Sequence, residues 1–379
     1  MEALGHWLRK KAERLRQGSL FSTLSSDHSG ISGKEERLFI ENGRKLLEKI
    51  IASFNGRCNP IRSFSAEDLQ KATDYFQSYC YSNDFDWFEG ILDGRLVLIK
   101  KYKDFEYDGH GACNNAWSYP LVFRDKKEEE EDDDDDFDDV GVFLDISTSS
   151  QMSSHKNVLK LLGCCLEFPI PMLVYEQAEN GPLNVCGGIG SSEGLSSLSW
   201  KIRLKVAKDI ANALTYLHTA FSRPIIHRNV KPQNIFLDKD FVAKLSDFSV
   251  SISIPEGETY VKDEVAGTQG FVDPVYKSTK SVTEQSDVYS FGVFLLILLS
   301  GRPAYDELLH DLKKEEFDEI VDPKIVEEGG ICGEQQIQLQ AFLELALKCV
   351  EDKREDRPLM IEVGKELMRI ERGSKASSS

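Results

Sequence analysis

Residues 225–239, IIHRNVKPQNIFLDK, gather a histidine, an arginine, two lysines and two asparagines, and KLSDFS follows at 244–249 with Asp247. Lysine is a compact positive charge of the kind that meets phosphate, and asparagine and aspartate carry oxygens of the kind that meet magnesium. That set suits phosphoryl transfer, in which a nucleotide is held by its phosphates, metals neutralise charge and a side chain orients or deprotonates a hydroxyl. Asn229, in the middle of the stretch, is an amide that can position a hydroxyl but cannot take its proton.

The elements that must hold these residues are legible from periodicity. KEERLFIENGRKLLEKIIASF (34–54) spaces Phe39, Gly43, Leu46 or Leu47, Ile50 and Phe54 by three and four, which predicts a leader helix. Ser65 ahead of AEDLQKAT predicts an N-cap and a second short helix. FEGILDGRLVLIKKY (88–102) alternates about Asp93-Gly94, a hairpin signature. KNVLKLLGCCLE and PMLVYEQAENGPL add two strands. After LSW at 198–200 the pattern turns to long helices over 201–221, 284–300 and 334–350.

This order of elements and several motifs together resemble the protein kinase fold, and within it plant receptor-like kinases. The motifs are VLIK (97–100), HKNVLKLLGCCLE (155–167), HRNVKPQN, DFS, GTQGFVDPVY (267–276), SDVYSFGV (286–293) and EDRP (355–358). The fold class is therefore α+β and bilobal, a small β-rich N-lobe and a larger helical C-lobe preceded by the leader helix. The divisions expected are a basic, disordered extension over 1–33, the leader helix to 62, the N-lobe 63–177, the C-lobe 178–372 and a disordered tail 373–379. The N-lobe is expected to carry a disordered acidic insertion at about 126–139.

The resemblance assigns roles and shows losses. Lys100 matches the strand lysine that meets the α- and β-phosphates, and Asp145 is the nearest carboxylate for its helix partner. The phosphate loop YCYSNDFDWFEG holds only Gly90, and Asp84, Asp86 and Glu89 repel phosphate. Leu98 fills the alanine position that faces adenine. Ser249 replaces the glycine after DF, with less freedom for positive φ. Val275 replaces a glutamate, so Arg357 must find another acid or water. Asp287 and Gly292 match helix positions that support the catalytic loop.

Lys100, Asp145, Lys231, Asn234 and Asp247 thus read as remnants of a nucleotide site, with no cofactor expected beyond weak ATP and weak magnesium at Asn234 and Asp247. The chain is expected to be a pseudokinase; the alternative is a weakly active or atypical Ser/Thr protein kinase in receptor-like kinase signalling.

The leader helix with PIRSFSAEDLQKAT and a degenerate core is similar to the plant receptor-like cytoplasmic pseudokinases of class XII. That likeness implies an adaptor or decoy in innate immunity, seated on the leucine-rich repeats of a coiled-coil NLR receptor. It would sense pathogen effectors or effector-modified kinases and trigger resistosome assembly. The stripe Phe39, Gly43, Leu47, Ile50 and Ile51 either faces the receptor or packs on the small lobe. The activation segment, from Asp247 to about Tyr276, would order against an effector or second cytoplasmic kinase, and offers Ser251, Ser253, Thr259, Tyr260 and Thr268 for modification.

Composition fits these expectations. In 379 residues, 41% apolar and 29% charged, there is enough hydrophobic surface for a sizeable core. The formal charge of −18 argues against nucleic acid, although EEEEDDDDDFDD (128–139) supplies 11 of the acids. The longest apolar run, VYSFGVFLLILLSG at 288–301, is too short to span a bilayer and predicts a buried helix. MEALGHWLRKKAERLRQ lacks a secretory h-region, SLFSTLSSDHSGISG reads as a linker, and eight irregularly spaced cysteines read as reduced thiols. A cytoplasmic location is expected, and the resemblance implies plasma-membrane association only through the receptor complex.

Overall fold

The computed structural model describes residues 29–54, 61–82, 84–103, 139–190, 196–304, 316–327 and 333–373. The basic N-terminal stretch, nearly all of the acidic tract and the tail 374–379 lie outside them. Two compact units divide the chain: the first takes the described residues up to 103 with 139–155 and 159–177, the second takes 156–158 and everything from Ala178 on.

The first unit opens with α1 (Ser29–Phe54), which begins inside the stretch expected to be a linker. β1 (Arg62–Ser63) leads to α2 (Ala66–Ala72), where Ser65 is the N-cap and exchanges a reciprocal capping box with Asp68. β2 (Tyr79–Ser82), β3 (Phe85–Leu92) and β4 (Arg95–Tyr102) follow, then α3 (Asp139–Met152), β5 (Leu161–Cys165) and β6 (Met172–Glu176). The six strands lie in the order β1-β5-β6-β4-β3-β2. Asp93 and Gly94 both take positive φ, 50° and 72°, as the tight turn between β3 and β4 requires. Phe64, Leu69, Phe88, Val97, Ile99, Met172 and Val174 bury one face of the sheet beneath α2.

The second unit starts with β7 (Gly181–Pro182) and α4 (Trp200–Thr219), then β8 (Ile225–Ile226), β9 (Ile235–Leu237), β10 (Ala243–Leu245), β11 (Ile252–Ser253) and β12 (Val261–Lys262). α5 (Pro274–Thr279), β13 (Ser281–Val282), α6 (Glu284–Ser300), α7 (Phe317–Ile320), α8 (Pro323–Glu327), α9 (Gly333–Cys349) and α10 (Met360–Arg372) complete it. Every residue of α6 from Ser286 to Ser300 is buried, so its apolar run is core, and no described helix is long and apolar enough to cross a membrane. Gly292 has a packing role in this helix. A Cβ there would stand 2.7 Å from Cys349 and Val350, so only glycine lets α6 and α9 approach this closely.

Candidate functional site: polar groups turned inward

In the first unit Lys100 lies on β4 opposite Trp87 of β3. Its ammonium donates to Asp145 Oδ2 at 2.7 Å, and both side chains are fully buried. α3 therefore does bring Asp145 to the lysine, and the shorter side chain reaches. Asp145 is further held by the Tyr102 hydroxyl on Oδ2 (3.0 Å) and by Ser149 on Oδ1 (3.0 Å). The same ammonium sits 3.4 Å from the centroid of the Phe85 ring and 4.8 Å from that of Tyr102. A desolvated cation over aromatic faces gains about 2 kcal/mol, which helps to offset the cost of burying it. Leu98 has no exposed surface, and Trp87, 1% exposed, lies against the Tyr175 ring at 5.8 Å. Asp84 is buried and Glu89 accepts from Gln177, so neither carboxylate stands open as the repulsive phosphate-loop charge that the sequence suggests.

In the second unit the catalytic loop is anchored from α6. Asp287 accepts the backbone N–H of His227 (2.8 Å) and of Arg228 (2.9 Å), and its Oδ2 also faces His218 Nε2 at 2.9 Å. Burial pushes its pKa upward, but the His218 hydrogen bond, with the charge interactions of His218 and His227, outweighs that and holds it below its ordinary value. Arg228 and Asp247 keep positive φ, 65° and 66°, a strained backbone that this anchoring supports.

Asn229 is completely buried and spends both ends of its amide internally. Its Nδ2 donates to Asp247 Oδ2 at 3.0 Å, and its Oδ1 accepts from the Thr268 hydroxyl at 2.7 Å. Asn234 Nδ2 donates to the Asn229 carbonyl (2.9 Å) and to Asp247 Oδ2 (3.3 Å), while Ser249 Oγ donates to Asp247 Oδ1 (2.7 Å). Ser249 is not among the positive-φ residues, so the freedom a glycine would give is not used here. A magnesium ion needs lone pairs at about 2.0–2.1 Å in near-octahedral array. Here Asn234 turns N–H rather than oxygen toward Asp247, and three donors cover the carboxylate. These residues, as arranged, do not fit magnesium, and Lys100, as covered, does not fit a phosphate. Lys231 is buried in the same loop.

The activation segment is hydrogen-bonded into the second unit: β11 pairs with β8, and β12 with β13. Arg228 binds the Val250 carbonyl, the Asp263 carboxylate and the Tyr276 hydroxyl. Of the hydroxyls proposed for modification, Thr259 and Tyr260 are exposed and Ser253 is half-buried. Ser251 and Thr268 are not available as they stand, because both are buried and each donates internally, Ser251 to the Phe248 carbonyl. Arg357 does find another acid. Its Nη2 donates to Asp273 Oδ1 at 3.0 Å, two residues before Val275.

The α1 stripe needs correction as a partner surface. Phe39 (1% exposed), Gly43 and Ile50 (0%) are buried within the protein, and Asn42 donates to the Leu166 and Phe168 carbonyls beside them. Only Ile51 is exposed and Leu47 half-buried; Ile40, 44% exposed, joins them on the outer face at spacings of seven and four. Periodicity found the buried face and could not say that a partner face lay beside it.

Sequence reasoning also passed over Phe85, Tyr102 and Asp273. For the first two a signal existed: in register across β3 and β4, Phe85 faces Tyr102 and Trp87 faces Lys100, an aromatic run on the lysine's own side of the sheet.

A six-stranded first unit and a helical second unit, with lysine, catalytic-loop and DF residues in kinase order, define a protein kinase domain of altered chemistry. A family model described as protein tyrosine and serine/threonine kinase matches residues 126–367, beginning after the strand that carries Lys100. Three proteins of Arabidopsis thaliana are similar over nearly their whole length. Non-functional pseudokinase ZED1 is 46% identical, covering 89% of this chain and 98% of its own. Serine/threonine-protein kinase ZRK1 is 43% identical over 91% and 95%, and non-functional pseudokinase ZRK2 is 38% identical over 96% and 97%. The chain belongs to the protein kinase family, in the group that includes ZED1 and the ZRK proteins.

Proposed function

We propose that this chain is a catalytically inactive pseudokinase that works by binding, as an adaptor or decoy in plant innate immunity. The observation that carries the inactive half is Asn229. The residue that would accept a substrate proton is an amide locked between Thr268 and Asp247, and a missing general base by itself removes about 10²–10⁴ in rate. Its partner is the leucine-rich repeat surface of a coiled-coil NLR receptor, and the activation segment meets an effector or an effector-modified cytoplasmic kinase. Support for that half is the likeness along the whole chain to relatives whose names include non-functional pseudokinases, together with the apolar outer face of α1 at Ile40, Leu47 and Ile51.

The test is co-purification with the candidate receptor, combined with a sensitive autophosphorylation assay. Stable receptor binding with no incorporated phosphate is the expected pair of results. Phosphate incorporation that disappears in Lys100→Ala would overturn the reading. One observation favours slow phosphotransfer instead: the Lys100–Asp145 pair is intact at 2.7 Å. The same assay decides between them.

A further inference from the structure

We infer that Phe85 is the residue that closes this chain to nucleoside triphosphates. The inference rests on the binding-only reading above and names the part of the first unit that enforces it.

A lysine recognises phosphate by aiming N–H bonds at it, and its ammonium has three to give. One is committed to Asp145 Oδ2 at 2.7 Å. The face of Phe85 covers another side of the nitrogen, its centroid 3.4 Å away, and Tyr102 lies beyond at 4.8 Å. On that side, a phosphate oxygen within hydrogen-bond reach, about 2.7–3.2 Å, would meet the Phe85 ring.

The ring is held there. Phe85 is 5% exposed and stands opposite Tyr102 in the β3–β4 register. The two rings meet edge-on at 4.9 Å, and the Tyr102 hydroxyl is bound in turn to Asp145. The cation, its carboxylate and both rings thus pack together as neighbours. A glycine at this point of the strand, as in a phosphate-cradling loop, would put no side chain over the ammonium. The cover over the ammonium is one side chain at one register position, so a single substitution should remove it.

The experiment uses the full chain. Binding of a fluorescent ATP analogue and melting with ATP and Mg²⁺ or Mn²⁺ are measured for wild type, Phe85→Ala, Phe85→Val and Phe85→Ala with Lys100→Ala. Wild type is expected to show no saturable binding and no ATP-dependent rise in Tm. Both single variants should show both, and the double variant neither. Phe85→Val keeps a strand-favouring side chain and decides the matter if Phe85→Ala fails to melt cooperatively. Wild type also provides a test without any variant: an acyl-phosphate ATP probe, which acylates accessible nucleotide-site lysines, should leave Lys100 unlabelled by mass spectrometry.

Lys100 labelling, or Lys100-dependent ATP binding by wild type, would overturn the inference and weaken the binding-only reading with it. A folded Phe85→Val that still ignores ATP would overturn the inference alone and leave the adaptor reading in place.

Discussion

Asp273 Oδ1 lies 3.0 Å from Arg357 Nη2, and neither side chain has any exposed surface. The other Asp273 oxygen takes Arg354 at 2.7 Å, and Arg357 adds the Gln285 and Glu351 carbonyls. One aspartate thus does for two arginines what a glutamate at Val275 would do for one. Losing that glutamate left no unpaired buried charge, which is why the second unit survives the loss of a kinase motif.

Asp273→Ala should therefore destabilise far more than any change at Val275. Breaking a buried pair from one side typically costs 3–5 kcal/mol, because the remaining charge stays uncompensated. Urea unfolding of the variant is expected to show about that loss. Val275→Glu, on a half-buried side chain with Arg357 already satisfied, should change stability by under about 1 kcal/mol.

On the proposed reading, a carboxylate at position 229 should not by itself give an enzyme. In Asn229→Asp a second carboxylate replaces the amide that now donates to Asp247 at 3.0 Å, and two neighbouring carboxylates cannot both ionise cheaply. One of the pair acquires a raised pKa in the folded state. Its stabilising protonated form is present at low pH and lost as pH rises, so the variant's deficit, about 1–3 kcal/mol, should be larger at pH 8 than at pH 5. Denaturation at the two pH values measures this, and mass spectrometry for phosphate should remain negative.

Asp287 gives the opposite pH dependence. Its carboxyl is held below its ordinary 3.8 despite burial, because His218 and His227 favour the charged form. The folded state then binds fewer protons, and the stability this contributes is complete above about pH 4 and lost as pH falls further. Tm followed from pH 6 to pH 3 should drop more steeply for wild type than for Asp287→Asn, which should start lower because two loop N–H groups lose a charged acceptor.

On α1 the two faces should separate cleanly. Ile50→Ala, at a residue with no exposure, should cost about 2–5 kcal/mol. The pair Ile40→Glu and Ile51→Glu, on the exposed face, should move stability by no more than about 1 kcal/mol in sum while abolishing receptor co-purification. Retained co-purification would remove α1 from the proposed interface.

Much of the fold is local physics and could be read from the chain. Ser65 with Asp68 makes the α2 cap inside four residues, Asp93-Gly94 makes its hairpin because two consecutive residues must take positive φ, and the unbroken apolar run of α6 could only be core. The start of α1 was missed because SGISG has loop composition, yet it continues a helix that is packed by its later turns.

The candidate site divides in the same way. Asn229, Ser249 and Val275 are losses of chemical groups, and a sequence states those outright: an amide has no basicity wherever it is folded. What fills the gaps was decided by contacts between residues far apart along the chain. Thr268 reaches Asn229 across 39 positions and Arg357 reaches Asp273 across 84. No periodicity marks such pairs, since each depends on where two separately folded segments bring one side chain. The sequence by itself determined that an amide stands at position 229 of this kinase scaffold; only the tertiary structure decided that Lys100 would lie against Phe85 and that Asn229 would pair with Thr268 and Asp247. A buried polar group must find some partner, and which one it finds is a property of the packed interior.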